Sequence, residues 1–282
     1  MRELTGKPVA DAINESLRAD IASLKERGIV PTIAVVRVGA RDDDLAYERG
    51  IKKKFGDMEC EARIVELPED VSQEELDSTV ERLDNDPSVN GILMFRPLPK
   101  TLSEDRIKHS ISAAKDVDCM GTAGLASVFA CDGEGFAPCT AQAVIELLHH
   151  YDIPLKGKKI TVIGRSLVIG KPVAVMLIKE NATVTVCHTK TADLKAECLA
   201  ADIIVAAAGA AKMVTAEYVR PGQIVIDVGM NTDQEGKLCG DVDFAAVSGI
   251  VDAATPVPRG VGSVTTSVLL KNTVTNAVRM NA

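Results

Sequence analysis

Residues 163–172 read Ile163-Gly164-Arg165-Ser166-Leu167-Val168-Ile169-Gly170-Lys171-Pro172. The run Lys159-Ile-Thr-Val-Ile163 before them predicts a β-strand, and Lys171 to Ile178 begins a helix. A glycine loop between a strand and a helix is where an α/β sheet presents its ligand crevice. Glycine lets backbone approach a pyrophosphate, and a helix N-terminus offers unpaired N–H groups to it. The spacing is Gly-x5-Gly rather than GxGxxG, so the pair taken alone fits an ordinary tight turn as well. The surrounding strand–helix–strand unit favours a nucleotide. Thr183-Val-Thr-Val186, Ile203-Ile-Val-Ala-Ala207 and Ile224-Val-Ile-Asp-Val228 follow as further strands.

The next strand bears on which nucleotide. An NAD site commonly carries Asp or Glu after its second strand, bonded to the ribose 2′-hydroxyl. Here the position reads Cys187-His188-Thr189-Lys190-Thr191, with no acid, and Arg165 sits in the preceding loop. Arginine with hydroxyl donors suits a 2′-phosphate, so NADP is expected rather than NAD. Lys190 also fits a solvated basic loop. The expected cofactor contacts are Gly164, Arg165, Ser166, Gly170, Lys171, Pro172, His188, Thr189 and Met230.

Moving toward the N-terminus, the same alternation continues. Ala10, Ile13, Leu17, Ile21 and Leu24 mark one face of a helix over residues 9–27. Ile33–Val38, Ile64–Leu67 and Gly91–Phe95 are strand-like, and Ser72 with Glu75 forms a capping box. The rhythm predicts an α/β fold of two domains, each a mostly parallel sheet covered by helices. The first comprises residues 1–137 with 261–282; the second, Rossmann-like, comprises residues 138–260. The loop Asp132-Gly-Glu-Gly-Phe136 is the expected first crossing and Thr255-Pro-Val-Pro-Arg-Gly260 the return. Ser267 to Met280 reads as a helix returning to the first domain.

Composition narrows the class. The net charge of −8, with both signs interspersed, argues against a nucleic-acid binder. No stretch approaches the roughly 18 apolar residues of a membrane span, and Met1-Arg-Glu-Leu-Thr has no apolar signal core, so the expected location is the cytoplasm. Seven scattered cysteines without CxxC read as free, mostly buried thiols, and four histidines show no HExxH. No metal is expected.

At these residues the sequence resembles the methylenetetrahydrofolate dehydrogenase/cyclohydrolase family. The likeness runs in order over nearly the whole chain. It takes in Gly39 with Tyr47, Pro97-Leu98-Pro99, Lys115-Asp116-Val117-Asp118 and Pro138-Cys139-Thr140. It continues through Gly164-Arg165-Ser166, Gly170-Lys171-Pro172, Cys187-His188-Thr189, Ile226-Asp227-Val228-Gly229 and Thr255-Pro256-Val257-Pro258. The resemblance implies a folate-binding catalytic domain, an NADP domain, a folate cleft between them, and a homodimer. It implies hydride transfer from 5,10-methylenetetrahydrofolate to NADP+, then hydrolysis of the methenyl product. Tyr47, Lys52 and Asp118 are then the catalytic candidates, with Tyr47, Phe95, Pro97, Asp118 and Pro258 lining the folate.

The sequence departs from the family at chemical positions. The family's Tyr-x-x-x-Lys places its lysine where this chain has Ile51, with Lys52, Lys53 and Lys54 just beyond, and its glutamine where this chain has Phe95, beside Arg96. Residues i and i+4 share a helix face, whereas i+5 is turned by roughly 100° more. Cys119–Ala126 and Pro258–Ser263 also differ from the family pattern. Hydride transfer depends chiefly on positioning, whereas hydrolysis must move protons, where a placed acid or base contributes about 10²–10⁴-fold. The expectation is a dehydrogenase with weak or absent cyclohydrolase. Two alternatives stand beside it: a bifunctional enzyme using Lys52 or Lys53, and a non-catalytic paralogue.

Overall fold

Runs of β-branched residues alternate with amphipathic stretches from one end of the chain to the other, and each becomes a strand or a helix. The structure, a computed structural model, describes every residue except Gln234. Its elements begin β1 (Arg2–Glu3), α1 (Gly6–Ser16), α2 (Arg18–Glu26), β2 (Thr32–Val38), α3 (Asp42–Asp57), β3 (Glu61–Leu67), α4 (Gln73–Asn85) and β4 (Gly91–Met94). Next come α5 (Glu104–Ser110), α6 (Thr122–Ala130), α7 (Cys139–His150), β5 (Lys159–Ile163), α8 (Gly170–Lys179), β6 (Thr183–Cys187) and α9 (Leu194–Ala200). The chain ends with β7 (Ile203–Ala206), β8 (Ile224–Asp227), β9 (Asn231–Thr232), β10 (Leu238–Cys239), α10 (Phe244–Val247), β11 (Ala253–Ala254) and α11 (Gly262–Met280).

The chain divides into two compact units, Met1–Asp11 with Thr140–Thr265 and Ala12–Cys139 with Thr266–Ala282. This differs from the expected boundaries. Residues 1–11 belong with the nucleotide half, because β1 pairs in parallel with β11, Arg2 opposite Ala253. The crossings fall inside α1, α7 and α11 rather than in the Gly- and Pro-rich loops. A loop signal marks where a chain turns, and a helix can carry it from one core to another without turning.

In the unit made of Ala12–Cys139 with Thr266–Ala282, three parallel strands run in the order β3-β2-β4, with Val35 opposite both Ile64 and Leu93. Every residue of β2 is buried, as a central strand covered on both faces requires. The expected helix over residues 9–27 breaks at Leu17, where the Ser16 hydroxyl donates to the Ile13 carbonyl at 2.7 Å and competes with the helix ladder. Its five apolar positions are nonetheless all buried. Ser72 caps α4 as read, accepting the Glu75 N–H at 3.2 Å. From α11, the buried amides of Asn272 and Asn276 donate to the carbonyls of Val117 and Asn90, closing otherwise unpaired backbone.

In the other unit six parallel strands run β1-β11-β8-β7-β5-β6. β5 lies between β6 and β7, so the connections on its two sides leave in opposite directions. Such a switch point opens a crevice at the carboxyl ends of the strands.

Candidate active site

Strand register decides which loops share that carboxyl edge. Ile163 pairs with Cys187 on one side and Ala206 on the other, and Ala206 pairs with Asp227. The loops beginning at Gly164, His188, Ala207 and Val228 therefore emerge together. Gly164 has φ +121°, and a Cβ there would lie 2.1 Å from the Ala207 carbonyl oxygen; one on Gly170 would lie 2.3 Å from the Gly164 carbonyl oxygen. No side chain fits either place, so the loop's packing on itself already demands both glycines.

The first turn of α8 is satisfied from within. The Ser166 hydroxyl accepts the Ile169 N–H at 3.1 Å, and the Ser166 carbonyl accepts the Lys171 N–H at 3.0 Å. Pro172 has no N–H and is buried, so it shapes the helix start rather than facing a ligand. What remains open toward solvent is the run Arg165–Val168, together with Lys171, Thr189 and the 70% exposed Met230. The Arg165 side chain has no hydrogen-bond or ion-pair partner among the described residues. His188 accepts the Lys190 N–H on Nδ1 at 3.1 Å and donates its own backbone N–H to the Thr191 hydroxyl at 2.8 Å, which shapes this loop. Nothing acidic stands at its tip.

Two buried carboxylates brace the opposite side of the edge, and the sequence reading passed over both roles. Asp241 accepts the N–H groups of Ala208, Gly209 and Ala210 at 2.6, 3.0 and 2.8 Å, plus the Asn231 amide at 2.9 Å. Asp227 accepts from Gly229, Asp241 and Val242, each at 3.0 Å. Burial pushes the Asp227 carboxyl up to about 6, the backbone donors working against it. An acid beside glycine, in Asp227-Val-Gly229 and Gly240-Asp241, is the sequence signal for such a backbone-binding carboxylate.

The second group of residues lies in the three-stranded unit. Tyr47 on α3 stacks on Phe95 just past β4, ring centroids 5.6 Å apart and planes 22° from parallel. Burial and the Asp118 charge push the Tyr47 phenol far up, against a hydrogen bond with the Thr266 side chain. Tyr47 therefore stays protonated and can donate a hydrogen bond. Asp118 accepts the Cys139 N–H at 3.0 Å. Burial raises its pKa too, while the Cys139 bonds and the Arg96 charge hold it partly down.

The Lys-Asp-Val-Asp run thus separates into structural and chemical parts. Lys115 donates to the Asp84 and Asp86 carbonyls at 2.6 and 2.7 Å, finishing α4. Asp116 accepts the N–H groups of Met120 and Gly121 at 2.8 and 2.7 Å, a turn function. Val117 is core. Asp118 interacts electrostatically with both Tyr47 and Arg96.

The lysines behave differently from Tyr47. Ile51, on Tyr47's face, is fully buried. Lys52 reaches Glu48 at 3.7 Å, and Glu48 is bound to the buried Arg37 at 3.0 Å. Lys53 pairs with Asp57 at 2.7 Å. Lys54 returns to within roughly 20° of Tyr47's direction but two turns further along the axis. Pro97 follows a cis peptide from Arg96, and Pro258 one from Val257. The reading missed Arg96, Thr266 and Cys139; a charged residue directly before Pro97, unexplained by core or turn, was the available signal for Arg96.

Comparison with known proteins accounts for both halves. The catalytic-domain pattern of tetrahydrofolate dehydrogenase/cyclohydrolase matches residues 4–118, and its NAD(P)-binding-domain pattern matches residues 138–281. The chain belongs to the tetrahydrofolate dehydrogenase/cyclohydrolase family. Within it, the chain is 54% identical to the bifunctional protein FolD of Carboxydothermus hydrogenoformans, over 96% of this chain and 95% of that one. The crystal structure of the bifunctional FolD enzyme of Campylobacter jejuni superimposes with a TM-score of 0.96 at 39% identity, covering 99% of both chains. The Trypanosoma brucei dehydrogenase-cyclohydrolase, solved with NADP and an inhibitor, follows at 0.91 and 36%, covering 98% of this chain and 96% of that one. The two-domain α/β architecture with a Rossmann-like unit is that of the family. Among the described residues no helix is long and apolar enough to cross a membrane, and no group of His, Cys, Asp and Glu forms a candidate metal site. All seven cysteines are free and all but Cys131 are buried.

Proposed function

We propose that this chain oxidises 5,10-methylenetetrahydrofolate with NADP+ and hydrolyses the resulting 5,10-methenyltetrahydrofolate to 10-formyltetrahydrofolate. The observation that carries it is the end-to-end likeness of both units to FolD proteins named bifunctional, at 54% identity for one of them. The expectation of weak or absent cyclohydrolase, drawn from Ile51 and Phe95, gives way to the bifunctional alternative. Two missing side chains weigh less than an unbroken match to relatives that bear the bifunctional name. The retained Tyr47 and Asp118 and the intact glycine loop speak against a non-catalytic paralogue.

The dinucleotide-binding fit rests on the open Arg165–Val168 segment, the unpartnered Arg165 guanidinium and the absence of an acid after β6. Arg165 and Thr189 hold the 2′-phosphate; Gly164 and Gly170 bring backbone close to the pyrophosphate. When bound, the nicotinamide supplies the hydride acceptor. In the three-stranded unit, Asp118 accepts hydrogen bonds from the 2-amino-pyrimidine edge of the pterin, which requires it ionised. Tyr47, held protonated, donates to the substrate and positions the one-carbon unit, and Phe95 and Pro97 exclude water around it. In hydrolysis, water adds its oxygen to the methenyl carbon and loses a proton. The bond to N5 then breaks, N5 keeping the electron pair and taking up a proton, as the oxygen becomes the formyl carbonyl. A homodimer and a cytoplasmic location belong to the same reading.

The test is a two-wavelength assay with methylenetetrahydrofolate and NADP+. NADPH formation without matching methenyl accumulation, and consumption of added methenyltetrahydrofolate, are expected. Methenyl accumulating in step with NADPH restores the dehydrogenase-only reading; no NADPH at all sinks both.

A further inference from the structure

The positive charge that the family pattern carries four residues after its tyrosine is absent here, since that place is the buried Ile51. Lys52 and Lys53 are engaged along the outer faces of α3, by Glu48 and Asp57. A different cation reaches the same cluster from the end of β4. Arg96 follows Phe95, whose ring is fixed against Tyr47. Its backbone is held as well: the Arg96 carbonyl accepts from Arg41 Nη2 at 3.1 Å, and Arg41 grips Asp44 through two bonds of 2.9 and 2.8 Å.

The Arg96 side chain itself is half-buried and has no hydrogen-bond or ion-pair partner among the described residues. Yet its charge is felt by Asp118, Asp116 and Cys119. Asp116 is committed to backbone N–H groups. No ion pair between Arg96 and Asp118 is formed among the described residues, although the Arg96 charge acts on that carboxylate. A half-buried guanidinium without a partner, next in the chain to the Phe95 that stacks on Tyr47, keeps its donors open for a charge-assisted bond.

We propose that Arg96 is the cation of the folate site in this chain, donating to the substrate oxygen on which charge develops as methenyltetrahydrofolate is hydrolysed. This rests on the bifunctional reading. Arginine remains protonated throughout, so it stabilises the incoming oxygen and moves no proton. The oxygen arrives as water, gives up its protons to solvent, and leaves as the formyl carbonyl. The same positive charge opposes formation of the cationic methenyl group, so it does not assist hydride transfer.

The experiment compares the full-length protein with Arg96→Leu and Arg96→Lys, measuring kcat for methenyl hydrolysis and for NADPH formation separately. Arg96→Leu is expected to lower hydrolysis by about tenfold to a hundredfold or more, as removal of one oxyanion donor does. NADPH formation should fall far less, which also establishes that the variant is folded. Arg96→Lys should recover part of the hydrolysis. Hydrolysis unchanged in Arg96→Leu overturns the proposal, as does hydrolysis lost instead in Lys52→Ala or Lys54→Ala. If the unmodified protein hydrolyses no methenyl substrate, the bifunctional reading itself has failed and Arg96 falls with it.

Discussion

Asp118 accepts the backbone N–H of Cys139 at 3.0 Å, so one carboxylate both caps the first residue of α7 and faces the Tyr47 cluster. Asp118→Ala is expected to abolish folate binding while leaving NADP+ affinity nearly intact. It should also cost about 1 kcal/mol of stability through the lost cap. Calorimetry that finds folate affinity unchanged, with only the stability loss, reduces Asp118 to a cap.

Burial raises the Asp118 pKa, and this gives its role a pH signature. Only the ionised carboxylate accepts both pterin donors. Folate affinity should therefore weaken as pH falls through that raised pKa, beginning above the ordinary carboxylate range near about 4. A Kd that stays flat as pH falls until the ordinary carboxylate range is reached argues against the assignment.

Arg165 is exposed and unpartnered beside a loop with no acid. Arg165→Ala should raise the KM for NADP+ by about tenfold or more and that for NAD+ much less, because the contact it removes exists only with the 2′-phosphate. Equal losses for the two cofactors would reject the contact.

Asp227 carries a folded-state pKa raised from 3.8 to about 6. Between those values the native state binds the extra proton, so Asp227's contribution to stability falls as pH rises from about 4 to about 6. Its full span is about 3 kcal/mol. Asp227→Asn cannot titrate, so the penalty of the substitution should be largest near pH 4 and shrink toward pH 7. Urea midpoints of the two proteins at both pH values decide this, a pH-independent difference being the contrary result.

Gly170 lies against the Gly164 carbonyl, where a Cβ would come within 2.3 Å of the oxygen. Gly170→Ala must push α8 from the glycine loop and should destabilise the six-stranded unit by about 2 kcal/mol or more, with loss of NADP+ binding. Thermal unfolding and cofactor titration of the same sample measure both effects. Normal stability together with normal affinity would show that the loop gives way more easily than its packing implies.

Much of this molecule is legible from local chemistry. Ile-Thr-Val-Ile, Ile-Ile-Val-Ala and Ile-Val-Ile-Asp are β-branched runs short enough to be strands only, and Ser72 with Glu75 is a cap whose partners lie three residues apart. The glycine loop is equally local, since a strand, a turn and a helix follow one another in ten residues. The order of these pieces was enough for the family resemblance as well.

The rest depends on residues far apart in the chain. Nothing in Arg2-Glu3 shows that it will pair with Ala253-Ala254, because a two-residue strand has almost no pattern of its own and its edge bonds come from the other end of a unit. The same holds for the charge in the folate cluster. Sequence spacing ranks Lys52 nearest to the expected lysine, but a charge goes where its strongest partner is. Glu48 holds Lys52, while Arg96 follows the Phe95 that stacks on Tyr47 and its charge acts on Asp118. Composition, periodicity and motif order determined the α/β class, the glycine loop and the family, since each depends on neighbours within a few residues. Only the tertiary structure decided which unit holds the N-terminus and which cation stands by Asp118, since both turn on contacts whose entropy cost is met by the packing of the whole core.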